Sequence, residues 1–151
     1  MANEKCVASY QARLSGPLLD RFDIQLAVPA VSAADLILPP PAEGSAEVAA
    51  RVAAARKIQG ERYAGMGLPN VLTNAAAPAN VIENAAALDA GARALVRDAA
   101  ERMHLTARGF HRILKLARTL ADLDGAAHVA RIHAAEALAY RGAQPGRAQA
   151  A

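Results

Sequence analysis

The chain has 151 residues, a formal net charge of +3 and a single cysteine, Cys6, which excludes an internal disulfide framework and any multi-cysteine zinc site. Apolar residues make up 54% of it, yet 41 residues are alanine and only five are aromatic, so the core must be thin, close-packed and built mainly from helices. Residues 1–44 carry a net −2 and residues 45–151 a net +5, a balance that permits phosphate contact without requiring it.

The start, MANEKC, has no basic stretch followed by an apolar run, so no secretory signal is visible. Next, Tyr10–Asp20 is compatible with a short helix that Gly16-Pro17 breaks or restarts. Phe22, Ile24, Leu26 and Val28 then alternate with Asp23, Gln25 and Ala27 up to Pro29, which is the signature of a β-strand. A lone strand leaves its backbone groups unpaired, so a partner chain or a larger structure is expected to supply its neighbour. Ser32–Asp35 has capping-box spacing, and Leu38–Gly44, with three consecutive prolines, reads as a stiff linker.

From Ser45 the pattern is helical. A helix capped by Ser45 and running to about Tyr63 is expected to bury Val48, Val52, Ala55 and Ile58. The twenty uncharged residues Tyr63–Ile82 contain prolines, glycines and asparagines, so they cannot form a membrane helix, and Gly65–Asn74 within them reads as a loop. Pro78 can open a short helix carrying Val81 and Ile82, and Asp89 can cap another with Ala92, Leu95, Val96, Ala99 and Met103 on one face. Thr106 caps the best-defined helix, where Phe110, Ile113, Leu114, Ala117, Leu120 and Ala121 recur at helical spacing until Asp124-Gly125. A last helix, Ala130 to Arg141, is expected to bury Ile132, Ala135, Leu138 and Ala139. The fold class is thus mainly α, a small helical bundle preceded by one strand.

For chemistry, the absences come first. None of Lys5, Lys57 and Lys115 stands in a Gly-Lys-Ser/Thr context, so there is no phosphate-cradling loop. No apolar strand ends in an acidic pair able to hold magnesium. His104, His111, His128 and His133 lack zinc-helix spacing, and His104 and His111 read as solvated or capping side chains. By itself the chain is expected to catalyse nothing. Two arginine constellations are more informative. Arg21 immediately precedes the strand, where a guanidinium on rigid structure could reach a phosphate presented by another subunit. Arg108 falls in the first turn of the Thr106-capped helix, whose free N–H groups favour anions, and Arg108, Arg112 and Lys115 form a basic stripe along it. A surface pair of Arg21 with Asp20 or Asp23, and a solvated stripe, are the plainer alternatives.

Arg13-Leu-Ser-Gly-Pro-Leu-Leu-Asp-Arg-Phe-Asp-Ile24, with Val28-Pro29, resembles the arginine-finger segment of the magnesium-chelatase-like AAA+ ATPases of the YifB/ComM group. Leu105-Thr-Ala-Arg-Gly-Phe-His-Arg-Ile-Leu-Lys-Leu-Ala-Arg-Thr-Leu-Ala-Asp-Leu123, followed by His133–Arg141, resembles the helical lid of the same family. The resemblance implies that residues 1–31 end an α/β ATPase core and that 45–141 form a lid; 32–44 read as the linker between them and 142–151 as a disordered tail. It further implies that Arg21 is the arginine finger and Arg108 the sensor-2 arginine. Arg13 becomes a candidate for subunit or phosphate contact, and Arg112 and Lys115 for nucleic-acid contact. ATP and Mg2+ would serve the full-length protein, a cytoplasmic homo-oligomer, hexameric by kinship, that remodels DNA and binds no membrane. The nucleotide-binding loop and magnesium motif of the family would precede residue 1, so the chain reads as a C-terminal fragment, inactive alone. A stand-alone helical nucleic-acid-binding module and a magnesium chelatase motor subunit are the alternatives.

Overall fold

The computed structural model describes residues 18, 21–26, 28, 30–33, 37–39 and 43–142. Cys6, Arg13, most of the Tyr10–Asp20 segment, Ala34 and Asp35 of the Ser32–Asp35 turn, and residues 143–151 lie outside the described residues. Among the described residues five helices form a bundle: α1 (Ser45–Gly65), α2 (Ala79–Ala85), α3 (Ala90–Arg102), α4 (Ala107–Leu123) and α5 (Arg131–Gly142). A 3-10 turn at Asn74–Ala76 interrupts the loop between α1 and α2. The helical bundle expected from composition is the fold observed, and none of the described helices is long and apolar enough to cross a membrane.

The caps explain where the helices start. Asp89 accepts the Ala92 N–H at 2.6 Å and Thr106 accepts the Gly109 N–H at 3.0 Å, as their positions in the sequence predict. At α1 the cap is not Ser45, which is already helical; Glu47 reaches back to the Gly44 N–H at 3.0 Å. At α5, the Ala130 N–H donates to His133 Nδ1 at 3.0 Å, which makes Nε2, 3.1 Å from Asp124 Oδ2, the donor to that carboxylate. The ends of α1 to α4 share one device, a left-handed residue just past the last turn. Gly67 (φ 78°) and Gly125 (φ 67°) follow α1 and α4, and the non-glycine residues Ala87 and His104 (both φ 48°) follow α2 and α3.

Helix α4 is the axis of the bundle. It packs against α1, α2, α5 and the 3-10 turn, and α5 lies between α3 and α4. Ile113, Leu114, Ala117 and Ala121 are buried along it, and each fully buried large aliphatic side chain stabilises by roughly 1.5–3 kcal/mol. The loops entering α3 and α5 are joined by a parallel bridge between Leu88 and Val129, with the Asp89 N–H on Val129 O at 3.0 Å and the Val129 N–H on Ala87 O at 3.2 Å.

Three expectations need correction. The buried stripe of α1 is Ala55, Gln59 and Tyr63, while Val48, Val52 and Ile58 stay exposed. Residues 45–54 are exposed throughout, because only the C-terminal half of α1 meets α4. In α5 the buried residues are His133, Ala134, Ala137 and Arg141; Ile132, Ala135 and Ala139 face outward. Alanines on every side of α5 leave its apolar phase undefined in sequence. Finally, residues 22–26 and 28 form no strand. Phe22, Ile24, Leu26 and Val28 are exposed, and the Gln25 N–H donates to Tyr140 O of α5 at 2.9 Å. The alternation finds no sheet among the described residues, and one of its backbone donors is satisfied by a helix end instead.

Candidate functional site

The N-terminal end of α4 carries Arg108, and one turn further along the helix Arg112 meets the segment that follows Arg21. Arg108 is the second residue of that helix, on the turn held by Thr106, and its side chain is exposed. Beneath it, α5 closes tightly onto the same turn: a Cβ on Gly109 would stand 3.0 Å from Arg141 Nη2 and 3.3 Å from Thr106 Oγ1. The absence of a side chain at Gly109 is therefore what lets the buried Arg141 lie against the start of α4.

One turn further on, Arg112 Nη1 donates to Asp23 Oδ1, and Lys115 Nζ donates to Ala75 O at 2.8 Å. Burial lowers the pKa of Lys115, Arg112 lowers it further, and Asp23 opposes both. The stripe predicted along α4 thus divides. Arg112 and Lys115 turn inward onto the segment around Asp23 and the 3-10 turn, whereas Arg108 remains exposed. Arg21 is exposed as well, and its N–H donates to Leu18 O at 2.9 Å, closing the turn that precedes Phe22. Asp23 pairs with Arg112, and neither Arg21 nor Arg108 makes an ion pair with a described residue.

Behind this surface lies a buried polar network that periodicity did not reveal. Asp122 accepts from both terminal nitrogens of Arg62 (Nη1 to Oδ2 at 3.0 Å), from Arg118 Nε at 3.0 Å and from Asn74 Nδ2 at 2.9 Å. Asn74 also accepts from the Tyr63 hydroxyl at 2.8 Å, and its own N–H donates to Gln59 Oε1 at 3.0 Å. Arg118 is 0% exposed, and its Nη1 donates to Ala127 O at 2.9 Å. Burial lowers the Arg118 pKa, and Asp122 raises it in return. Burial also raises the pKa of the Tyr63 hydroxyl, keeping it a donor. A signal for the network was present: Arg118 and Asp122 sit four apart on the stripe of Leu114 and Ala121, where a solvated pair would not be placed.

His111 Nε2 lies 2.7 Å from Glu83 Oε1, and exposed His104 occupies the left-handed position after α3, so both have local roles. Among the described residues no group of three His, Cys, Asp or Glu side chains could hold a metal ion.

Residues 42–141 match the family described as "Magnesium chelatase, subunit ChlI C-terminal", and residues 1–36 match "Magnesium chelatase, subunit ChlI". The chain belongs to the magnesium-chelatase-like family of AAA+ proteins, and its five-helix bundle is the C-terminal helical domain of that family. Among its relatives, the competence protein ComM of Haemophilus influenzae is 38% identical over 136 residues, 89% of this chain and 25% of the relative. The uncharacterized protein YifB of Salmonella typhimurium is 35% identical and that of Escherichia coli 36%, each over 141 residues, 87% of this chain and 25% of the relative. The chain thus spans about a quarter of the length of the curated relatives it matches.

Proposed function

We propose that this chain supplies the arginine finger and the helical lid of a ring-forming ATPase that couples ATP hydrolysis to DNA remodelling. Arg21 reaches the γ-phosphate held by a neighbouring subunit, and Arg108 reads the nucleotide from the first turn of α4. The observation that carries the reading is the contrast along α4. Arg112 and Arg118 are engaged by carboxylates, while Arg108 alone of the three stays exposed and without an ion pair among the described residues, beside free helical N–H groups. A planar guanidinium that stays protonated suits the charge that spreads over the γ oxygens during phosphoryl transfer. The competence name of the Haemophilus relative supports DNA as the substrate class. The internal partners of Arg112 and Lys115 favour this reading over a stand-alone module that grips nucleic acid through that stripe.

The test is turnover in the full-length ATPase. Arg21→Ala is expected to leave assembly and ATP binding intact and to lower kcat by about 10³–10⁵-fold. Arg108→Ala is expected to weaken nucleotide affinity or response. Near-normal hydrolysis by the first variant removes Arg21 from the mechanism, and unchanged affinity and turnover in the second removes Arg108.

A further inference from the structure

We propose that Arg112 and Asp23 form a latch that ties the position of Arg21 to that of Arg108, so that the nucleotide state read through α4 is passed to the finger serving the next site. The inference rests on the reading of Arg21 and Arg108 given above, and it concerns two positioning residues, neither of which touches nucleotide.

The covalent geometry is short at both ends. Asp23 lies two residues after Arg21, a span of at most about 7 Å along the chain. Arg112 lies one helical turn after Arg108 on the same rigid helix. The contact between Arg112 Nη1 and Asp23 Oδ1 therefore closes a path from one functional arginine to the other through a single non-covalent link. A second tether lies two residues beyond, where the Gln25 N–H donates to Tyr140 O at 2.9 Å. The segment that follows Arg21 is thus held to α4 by a side chain and to α5 by its backbone, the two helices whose ends meet at Gly109.

An isolated exposed ion pair contributes little to stability, so the pair calls for another account. The Arg112 side chain is 26% exposed against 54% for Asp23, so the arginine end is the better fixed, and Lys115 shares the recess with Asp23 and Thr119. A shift of α4 on nucleotide binding would pull Asp23, and with it Arg21, because one residue alone, Phe22, separates them.

The first measurement uses the present chain without nucleotide. Asp23→Arg and Arg112→Asp are each expected to speed amide hydrogen exchange at Gln25 several-fold with little change in melting temperature, and the double reversal is expected to restore protection. The second uses the full-length ATPase, where each single reversal is expected to lower kcat about tenfold or more with KM for ATP nearly unchanged, and the double reversal to recover it. Arg21→Ala in the same assay separates the two readings. If it abolishes turnover while the latch reversals leave kcat unchanged, the latch is overturned and the finger stands. If the reversals alter exchange at Gln25 but Arg21→Ala retains turnover, the contact is real, the finger reading fails, and its coupling role goes with it. Failure of the double reversal to restore either readout also overturns the latch.

Discussion

His104 shows how a single residue can carry backbone strain at a helix end. It sits at φ 48°, with its N–H on Glu101 O at 3.4 Å and the Leu105 N–H on Ala100 O at 3.1 Å, the paired bonds that close a helix through a left-handed residue. Glycine does this job after α1 and α4, where no Cβ meets the preceding carbonyl. Replacing His104 by glycine should therefore raise stability by about 1 kcal/mol, less the entropy glycine loses on folding. Thermal or urea unfolding of His104→Gly measures this, and a clear loss of stability would show that the imidazole contributes contacts beyond its backbone position. The same residue scale explains what the sequence concealed. Gln59, Asn74, Arg118 and Asp122 are polar by type but buried by place. Hydropathy alone assigns them to solvent, because it does not see the partners that satisfy them.

At the scale of elements, legibility followed the helix caps more than the apolar patterns. Asp89 and Thr106 mark the starts of α3 and α4 because an oxygen one or two bonds from Cβ reaches the N–H groups of the first turn whatever the tertiary context. Thr106→Ala should cost about 1 kcal/mol by orphaning the Gly109 N–H. It should also loosen the turn that bears Arg108. Chemical denaturation provides the check, and a loss below about 0.3 kcal/mol would mean that water replaces the hydroxyl fully. Faces were legible in α4, where Ile113, Leu114, Ala117 and Ala121 recur on one side and are buried. They were not legible in α5, where alanines surround the axis and packing alone selects Ala134 and Ala137. Nor were they legible in the first half of α1, which has an apolar stripe but is exposed among the described residues.

In the whole molecule, Asp122 is the point through which the parts are joined. Its carboxylate is shared by Arg62 of α1, Asn74 of the 3-10 turn and Arg118 of α4, and Arg118 in turn holds Ala126 and Ala127 of the loop that leads to α5. Two guanidinium groups depend on one buried anion, so Asp122→Asn leaves positive charge in the interior with no counter-charge in the network. A loss of about 3–5 kcal/mol is expected, large enough to shift the entire unfolding transition rather than one helix. A change under about 1 kcal/mol, measured by urea titration, would mean that the arginines escape to solvent and that the network does not organise the bundle. Arg108 stands on this same frame, since α4 carries both Arg118 and the Thr106-capped turn.

The sequence by itself determined the helical class, the capped starts of α3 and α4, and the kinship carried by the two arginine motifs. Those features depend on residues near one another along the chain: a cap and its turn, a period of apolar side chains, a motif of consecutive positions. Tertiary structure alone decided which face of α1 and α5 is buried, that Arg112 meets Asp23 rather than solvent, and that the alternating segment after Arg21 has a backbone donor bonded to a helix end rather than to a sheet. Each of those outcomes depends on a partner distant in sequence, 89 residues away for Arg112 and Asp23, and no local periodicity encodes where such a partner will lie.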